Sequence, residues 1–175
     1  MKKLISVIVI VVAIIVLIAV GNGTGENELL RIHIRANSND VIDQSIKYKI
    51  KDEMVEYLTP YLSNVNSKAE AEAVIKSKIN EINNLVDRML QRNGFDYKCN
   101  AKICNEYFPT RVYEDITVQS GYYDALILEL GEAQGDNWWC VVYPPLCFVN
   151  TKYINSEGVV YKSKILEIIR SWLEK

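Results

Sequence analysis

The stretch GYYDALILELGEAQGDNWWCVVYPPLCF, Gly121–Phe148, decides how the chain is built. GYYDALILEL (Gly121–Leu130) reads as a strong strand, and GEAQGDN (Gly131–Asn137) as a turn-rich hairpin loop. WWCVVY (Trp138–Tyr143) is apolar at successive positions, so both faces of that strand expect cover and its expected place is the centre of a sheet. Pro144-Pro145 cannot continue a central ladder, which sets the strand's end near Tyr143. Side chains alternate along a strand, so Trp138 and Trp139 point to opposite faces.

Upstream, PTRVYEDITV (Pro109–Val118) is a looser strand, and FDYKCNAKI puts Phe95, Tyr97, Cys99, Ala101 and Ile103 on one face. LLRIHIR (Leu29–Arg35) alternates from Leu30. Leu30, Ile32 and Ile34 face one side, while Arg31, His33 and Arg35 form an expected solvent face. ANSND (Ala36–Asp40) is a turn and helix-start cluster.

Two helices lie between these strands. Ile42, Ile46, Ile50, Met54, Leu58 and Leu62 recur every four residues and draw one apolar stripe, which Pro60 should end or kink. Ser67 with Glu70 forms a capping box. The next stripe runs through Val74, Ile75, Ile79, Ile82, Leu85, Val86, Met89 and Leu90 to an Asn93-Gly94 left-handed stop. A closing helix carries Ile165, Leu166, Ile168, Ile169, Trp172 and Leu173. The order is strand, two helices, several strands, helix. It predicts an α+β fold, a largely antiparallel sheet packed with an αα-hairpin and a C-terminal helix.

The 175 residues suffice for one domain with a core, and 49% hydrophobic against 24% charged residues is the balance of a folded chain. Lys2 and Lys3 precede an apolar run, Leu4–Val20, interrupted only by Ser6. At ~1.5 Å per residue it reaches about 25 Å, against a hydrocarbon core of about 30 Å. Ala19-Val20-Gly21 offers a cleavage site, so residues 1–21 read as a signal peptide or a membrane anchor. Residues 22–28 form a flexible linker and 29–175 an exported α+β domain. Without Lys2 and Lys3 the 20 basic residues become 18 against 22 acidic, a net of about −4. That charge offers no basic stripe for nucleic acid.

No Walker motif, G-x-S-x-G, H-E-x-x-H or EF-hand loop is present. Carboxylate pairs such as Asp52/Glu53, Glu114/Asp115 and Glu132/Asp136 are the ordinary surface of an acid-rich chain. The lone His33 reads as an exposed surface residue. The four cysteines, Cys99, Cys104, Cys140 and Cys147, lie beyond the apolar run. Their spacings do not match zinc knuckles, and export favours disulfides, with three connectivities open. No metal, cofactor or catalytic set is predicted.

Two blocks carry a family resemblance. RIHIRANSNDVIDQSIKYKIKDEMV (Arg31–Val55) resembles one signature of the stage II sporulation protein R family. FPTRVYEDITVQSGYYDALILELGEAQGDNWWCVVYPPLCF (Phe108–Phe148) resembles a second. The chain departs from that pattern at His33, at Ala133, where a glycine is common, and at Gln119-Ser120. The resemblance implies a protein exported from the forespore into the intermembrane space of the sporulation septum. There it would activate a membrane-bound aspartic protease of the mother cell, which processes the sigma-E precursor. It implies a signalling protein and not an enzyme, in contact with the membrane through residues 4–20 if they are uncleaved.

Aromatics available to such a partner are Tyr113, Tyr122, Tyr123, Trp138, Trp139 and Tyr143, since tryptophan and tyrosine concentrate at binding hot spots. Locality favours the pairs Cys140–Cys147 and Cys99–Cys104. Strand parity speaks against the second pair unless a turn separates its members. The alternatives are a secreted cysteine-dependent thiol or redox enzyme and a structural domain of the cell envelope.

Overall fold

The computed structural model describes residues 28–113, 116–145 and 147. The apolar run at 4–20, its cleavage site and linker, and the C-terminal helix expected over 165–173 lie outside these residues. Within them the elements are β1 (Leu30–Arg35), α1 (Val41–Leu62), α2 (Lys68–Arg92), β2 (Cys99–Phe108), β3 (Arg111–Tyr113), β4 (Ile116–Val118), β5 (Gly121–Leu130) and β6 (Asn137–Tyr143). No helix among the described residues is long and apolar enough to cross a membrane.

The α+β class holds, but the sheet is mixed. Its order is β2-β5-β1-β6, with β1 parallel to β5 and antiparallel to β6, and β2 antiparallel to β5. Three expectations are corrected here. β5 and β6 are not a hairpin, because β1 lies between them and residues 131–136 pass over its end. β6 is an edge strand, not a central one. The apolar run WWCVVY arises because each face of β6 joins a hydrophobic cluster, and side-chain pattern reports covered faces, not ladder neighbours. The strand expected over 109–118 is instead two three-residue strands, β3 and β4, paired with each other as a separate ribbon.

The two faces of the sheet are unlike. Leu30, Ile32, Ile34, Leu126, Leu128, Cys140 and Val142 meet the buried stripes of α1 and α2. The opposite face meets the β3–β4 ribbon, where Leu29, Phe108, Ile116, Val118, Tyr123, Ala125, Ile127 and Val141 form a second cluster. This cover buries Arg31 completely and leaves His33 3% exposed, so the expected solvent face of β1 is interior.

The helices follow their sequence signals closely. Ile46, Ile50, Met54, Leu58 and Leu62 are buried, while Ile42 at the first turn is exposed. Pro60 falls in the last turn, and α1 stops two residues later. Ser67 accepts from the Glu70 N–H at 3.1 Å, and the Glu70 carboxylate accepts from the Asn66 N–H at 2.9 Å, one residue earlier than the standard box. At the far end Gly94 takes φ +84. The Phe95 N–H reaches the Leu90 carbonyl at 3.0 Å, and the Gly94 N–H reaches that of Gln91 at 3.1 Å, a Schellman stop. Asp87 and Asn83 of α2 accept from the backbone N–H groups of Cys99 and Ala101, each at 2.8 Å, and so occupy part of the edge of β2.

The segment after β1 ties the sheet to α1. Asp43 is 4% exposed and accepts from Asn37 at 2.8 Å, Ser38 at 2.7 Å and the Tyr97 hydroxyl at 2.7 Å. Asn37 and Asn39 in turn accept from the backbone N–H groups of Glu132 and Asp136. Lys47 donates to the Asp136 carbonyl at 2.9 Å. The loop passes so near that a Cβ on Gly135 would strike the Ser38 carbonyl, and one on Gly131 the Asn37 side chain.

Candidate interaction face

The face of the sheet under the ribbon gathers side chains from distant parts of the chain. Alternation on β1 sends Arg31, His33 and Arg35 to this side in register with Ala125, Ile127 and Glu129 of β5. The same parity brings Phe108, Glu106, Cys104 and Lys102 from β2, and Trp139 and Val141 from β6.

Arg31 donates from Nη2 to the Tyr113 hydroxyl at 2.7 Å, and that hydroxyl donates to the Trp139 carbonyl at 3.2 Å. The guanidinium carbon lies 4.3 Å from the Phe108 ring centre and 5.0 Å from that of Tyr123. Burial lowers the Arg31 pKa, a direction that its bond to Tyr113 opposes. Burial also raises that of Tyr113.

His33 stacks on Trp139 at 5.2 Å and meets Phe108 edge-on at 5.7 Å. The Arg111 guanidinium also lies over the Trp139 ring, 4.0 Å from its centre. Nδ1 of His33 lies 3.1 Å from the Glu106 carboxylate. Burial lowers the His33 pKa, with Arg35 acting in the same sense, so the ring is held neutral. Past it the face turns polar: Arg35 bridges Glu106 and Glu129, and Lys102 and Asn100 hold Glu129 at 2.8 and 3.0 Å.

The six aromatics proposed from sequence divide. Tyr113, Tyr123 and Trp139 come together on this face, with Tyr123 buried beside Arg31 and Trp139 half-buried. Trp138 turns to the helical cluster, and Tyr143 is buried there too. Tyr122, 70% exposed, stands on the helix side edge-on to Tyr107, 5.6 Å away. Both tryptophans are therefore core anchors, one for each face. Tyr123 and Tyr143 are too buried to offer a free contact surface.

Sequence reading missed Arg31, His33, Arg111 and Phe108. The one signal in the sequence is compositional, a set of aromatics at 108, 113, 123 and 139 with basic residues at 31 and 111, and it does not say which of them meet.

Cys140 and Cys147 form a disulfide with a Cα–Cα distance of 6.2 Å. The expected Cys99–Cys104 bond is corrected: both are free thiols. β2 runs unbroken through both, and an odd separation sends Cys99 to the helical cluster and Cys104 to the ribbon side. Burial pushes the Cys99 thiol up to about 12 and raises that of Cys104. No group of three or more metal-ligating side chains occurs among the described residues.

Fold and face together define a class: a mixed-sheet α+β domain with two helices on one face and an arginine–aromatic surface under a side-chain-held ribbon on the other. The profile of the stage II sporulation protein R family matches residues 26–153. The stage II sporulation protein R of Bacillus subtilis (strain 168) is 33% identical over 133 residues, covering 76% of this chain and 58% of that relative. The chain therefore belongs to the stage II sporulation protein R family. The matched part spans little more than half of the curated relative's length. No solved structure matches.

Proposed function

We propose that this chain is a sporulation signal. It is exported from the forespore and acts in the intermembrane space of the septum on a membrane-embedded aspartic protease, so that the sigma-E precursor is processed in the mother cell. Residues 1–21 direct export as a signal peptide or anchor, 22–28 tether, and 29–175 form the signalling domain. The observation that supports this reading is family membership over residues 26–153. The arginine–aromatic face supplies a physical means. A ligand shifts a two-state partner only by its differential affinity, and a full switch from 1:99 to 99:1 needs about 5.5 kcal/mol. Half-buried Trp139 and Arg111, which caps it, are the residue types that dominate such contacts.

The thiol-enzyme alternative is disfavoured. That reading puts the nucleophile at Cys140 or Cys147, which are joined in a disulfide, and the free thiols Cys99 and Cys104 are both shifted upward, away from the depressed pKa a nucleophile needs.

The test is reconstitution in a non-sporulating host that expresses this chain, the protease and the precursor, with and without residues 1–21. Cleavage of the precursor that depends on this chain and on its export is the expected result. No cleavage with all three present and exported would refute the proposal.

A further inference from the structure

Among the described residues β2 is an edge of the four-stranded sheet. Its first outward N–H groups, those of Cys99 and Ala101, are taken by Asp87 and Asn83 of α2. Residues of an antiparallel strand bond inward and outward in turn, and β2 keeps an unbroken register with β5. In the second half of β2 the outward groups therefore belong to Ile103, Asn105 and Tyr107. Side chains of this half reach solvent on both faces of the sheet. Asn105 is exposed and Tyr107 is 54% exposed on the helical side, and the Lys102 side chain is 42% exposed on the ribbon side.

Parity and charge single out one way for this edge to meet a copy of itself. Outward residues must face outward residues, so a two-fold axis passes through a residue and not between two. An axis through Ile103 would set Asn105 against Ala101, whose N–H is already taken. One through Glu106 would set two glutamates face to face, and one through Asn105 would set Cys104 against Glu106. An axis through Cys104 sets Ile103 against Asn105 of the second copy, so that their outward groups bond across it. It also sets Lys102 against Glu106 of the second copy, once on each side of the axis. Opposite charges directly across an antiparallel pair favour that register.

We propose that the Ile103–Tyr107 edge is a homodimer surface, on which two copies pair β2 against β2, antiparallel, about Cys104. The two Cys104 residues then meet at a non-hydrogen-bonded position, where Cα atoms lie about 4.5 Å apart, within reach of a disulfide. The axis is normal to the sheet, so both ribbon faces lie on the same side. On the signalling reading above, the dimer presents two recognition faces together; the pairing itself does not rest on that reading.

The test has two arms, both on the full-length protein. In the first, amide hydrogen exchange is followed at low and at high protein concentration. Ile103 and Asn105 should exchange more slowly as concentration rises, while Cys99 and Ala101, held by α2, stay protected at both. Exchange at Ile103 and Asn105 that is fast at both concentrations would overturn the proposal. So would exchange that is slow at both, since the edge would then be covered within one chain.

In the second arm, oxidised glutathione is the oxidant. One Cys104 thiolate displaces a glutathione to form a mixed disulfide, and the second Cys104 thiolate displaces the other glutathione, which leaves a Cys104–Cys104 bond. A covalent dimer that Cys104→Ser abolishes is expected. Lys102→Glu should cut its rate by about tenfold, because two attractive pairs become like-charge pairs. Asn105→Pro removes an outward N–H, a change that edge strands tolerate, so it should keep the melting temperature and lose the cross-link. Cross-linking at the wild-type rate in folded Asn105→Pro and Lys102→Glu would mean chance collision of thiols and would overturn the dimer.

Discussion

Asp43 shows how one side chain can set local architecture. Burial alone would raise its pKa, but donors from Tyr97, Ser38 and Asn37 outweigh that and hold it below the ordinary carboxylate range. Asp43→Ala strands three donors, so a loss of about 3 kcal/mol in urea unfolding is expected. A depressed carboxylate stabilises the fold above its unfolded pKa, and this contribution fades as pH falls through the folded value. His33 adds to the acid sensitivity. Its folded pKa lies below the unfolded 6.5, so the unfolded chain binds the extra proton and stability declines as pH drops through that window. His33→Phe should flatten the denaturation midpoint between pH 7 and pH 5. An unchanged slope would mean that His33 titrates alike in both states. Ala133 holds φ +54, the left-handed region where the family resemblance places glycine. Ala133→Gly should therefore gain up to about 1 kcal/mol in the same assay.

At the scale of elements, what the sequence revealed depended on where each partner lay. α1 and α2 were legible, and so were the caps of α2, because helix signals are local: Ser67 with Glu70, Asn93 with Gly94, and stripes of period four. The strands were legible as strands, but their order was not. Arg31 and His33 looked solvent-facing since their cover, β3, β4 and Trp139, lies 78 or more positions away. WWCVVY looked central because period and hydrophobicity report burial on each face and not which neighbour completes the ladder. The 131–136 loop looked like a hairpin because glycine marks turns of many kinds. Its glycines serve the close approach to Asn37 and Ser38 instead. Gly135→Ala should then cost at least about 2 kcal/mol, despite adding only one methyl group. The cysteines are separable in the same way. Alkylation of the folded, unreduced protein should label Cys104 and spare Cys99, and denaturation without reductant should expose two thiols. Losing the short Cys140–Cys147 loop should cost about 2.5 kcal/mol on the chain-entropy estimate.

For the whole molecule, the sheet is divided into a helical face and a ribbon face, and the proposed function assigns recognition to the second. The helical side holds most of the apolar core, with the stripes of both helices laid on four strands. The ribbon side holds a smaller cluster around a buried guanidinium and a stacked tryptophan. The central claim is that the ribbon side is the signalling surface. It is tested most directly by precursor cleavage in the reconstituted system, comparing Trp139→Ala combined with Arg111→Glu against Tyr57→Ala combined with Arg88→Glu on the helical side. Cleavage lost with the first pair and kept with the second, both folded and exported, is the predicted result. Cleavage kept with the first pair, or lost only with the second, would contradict it.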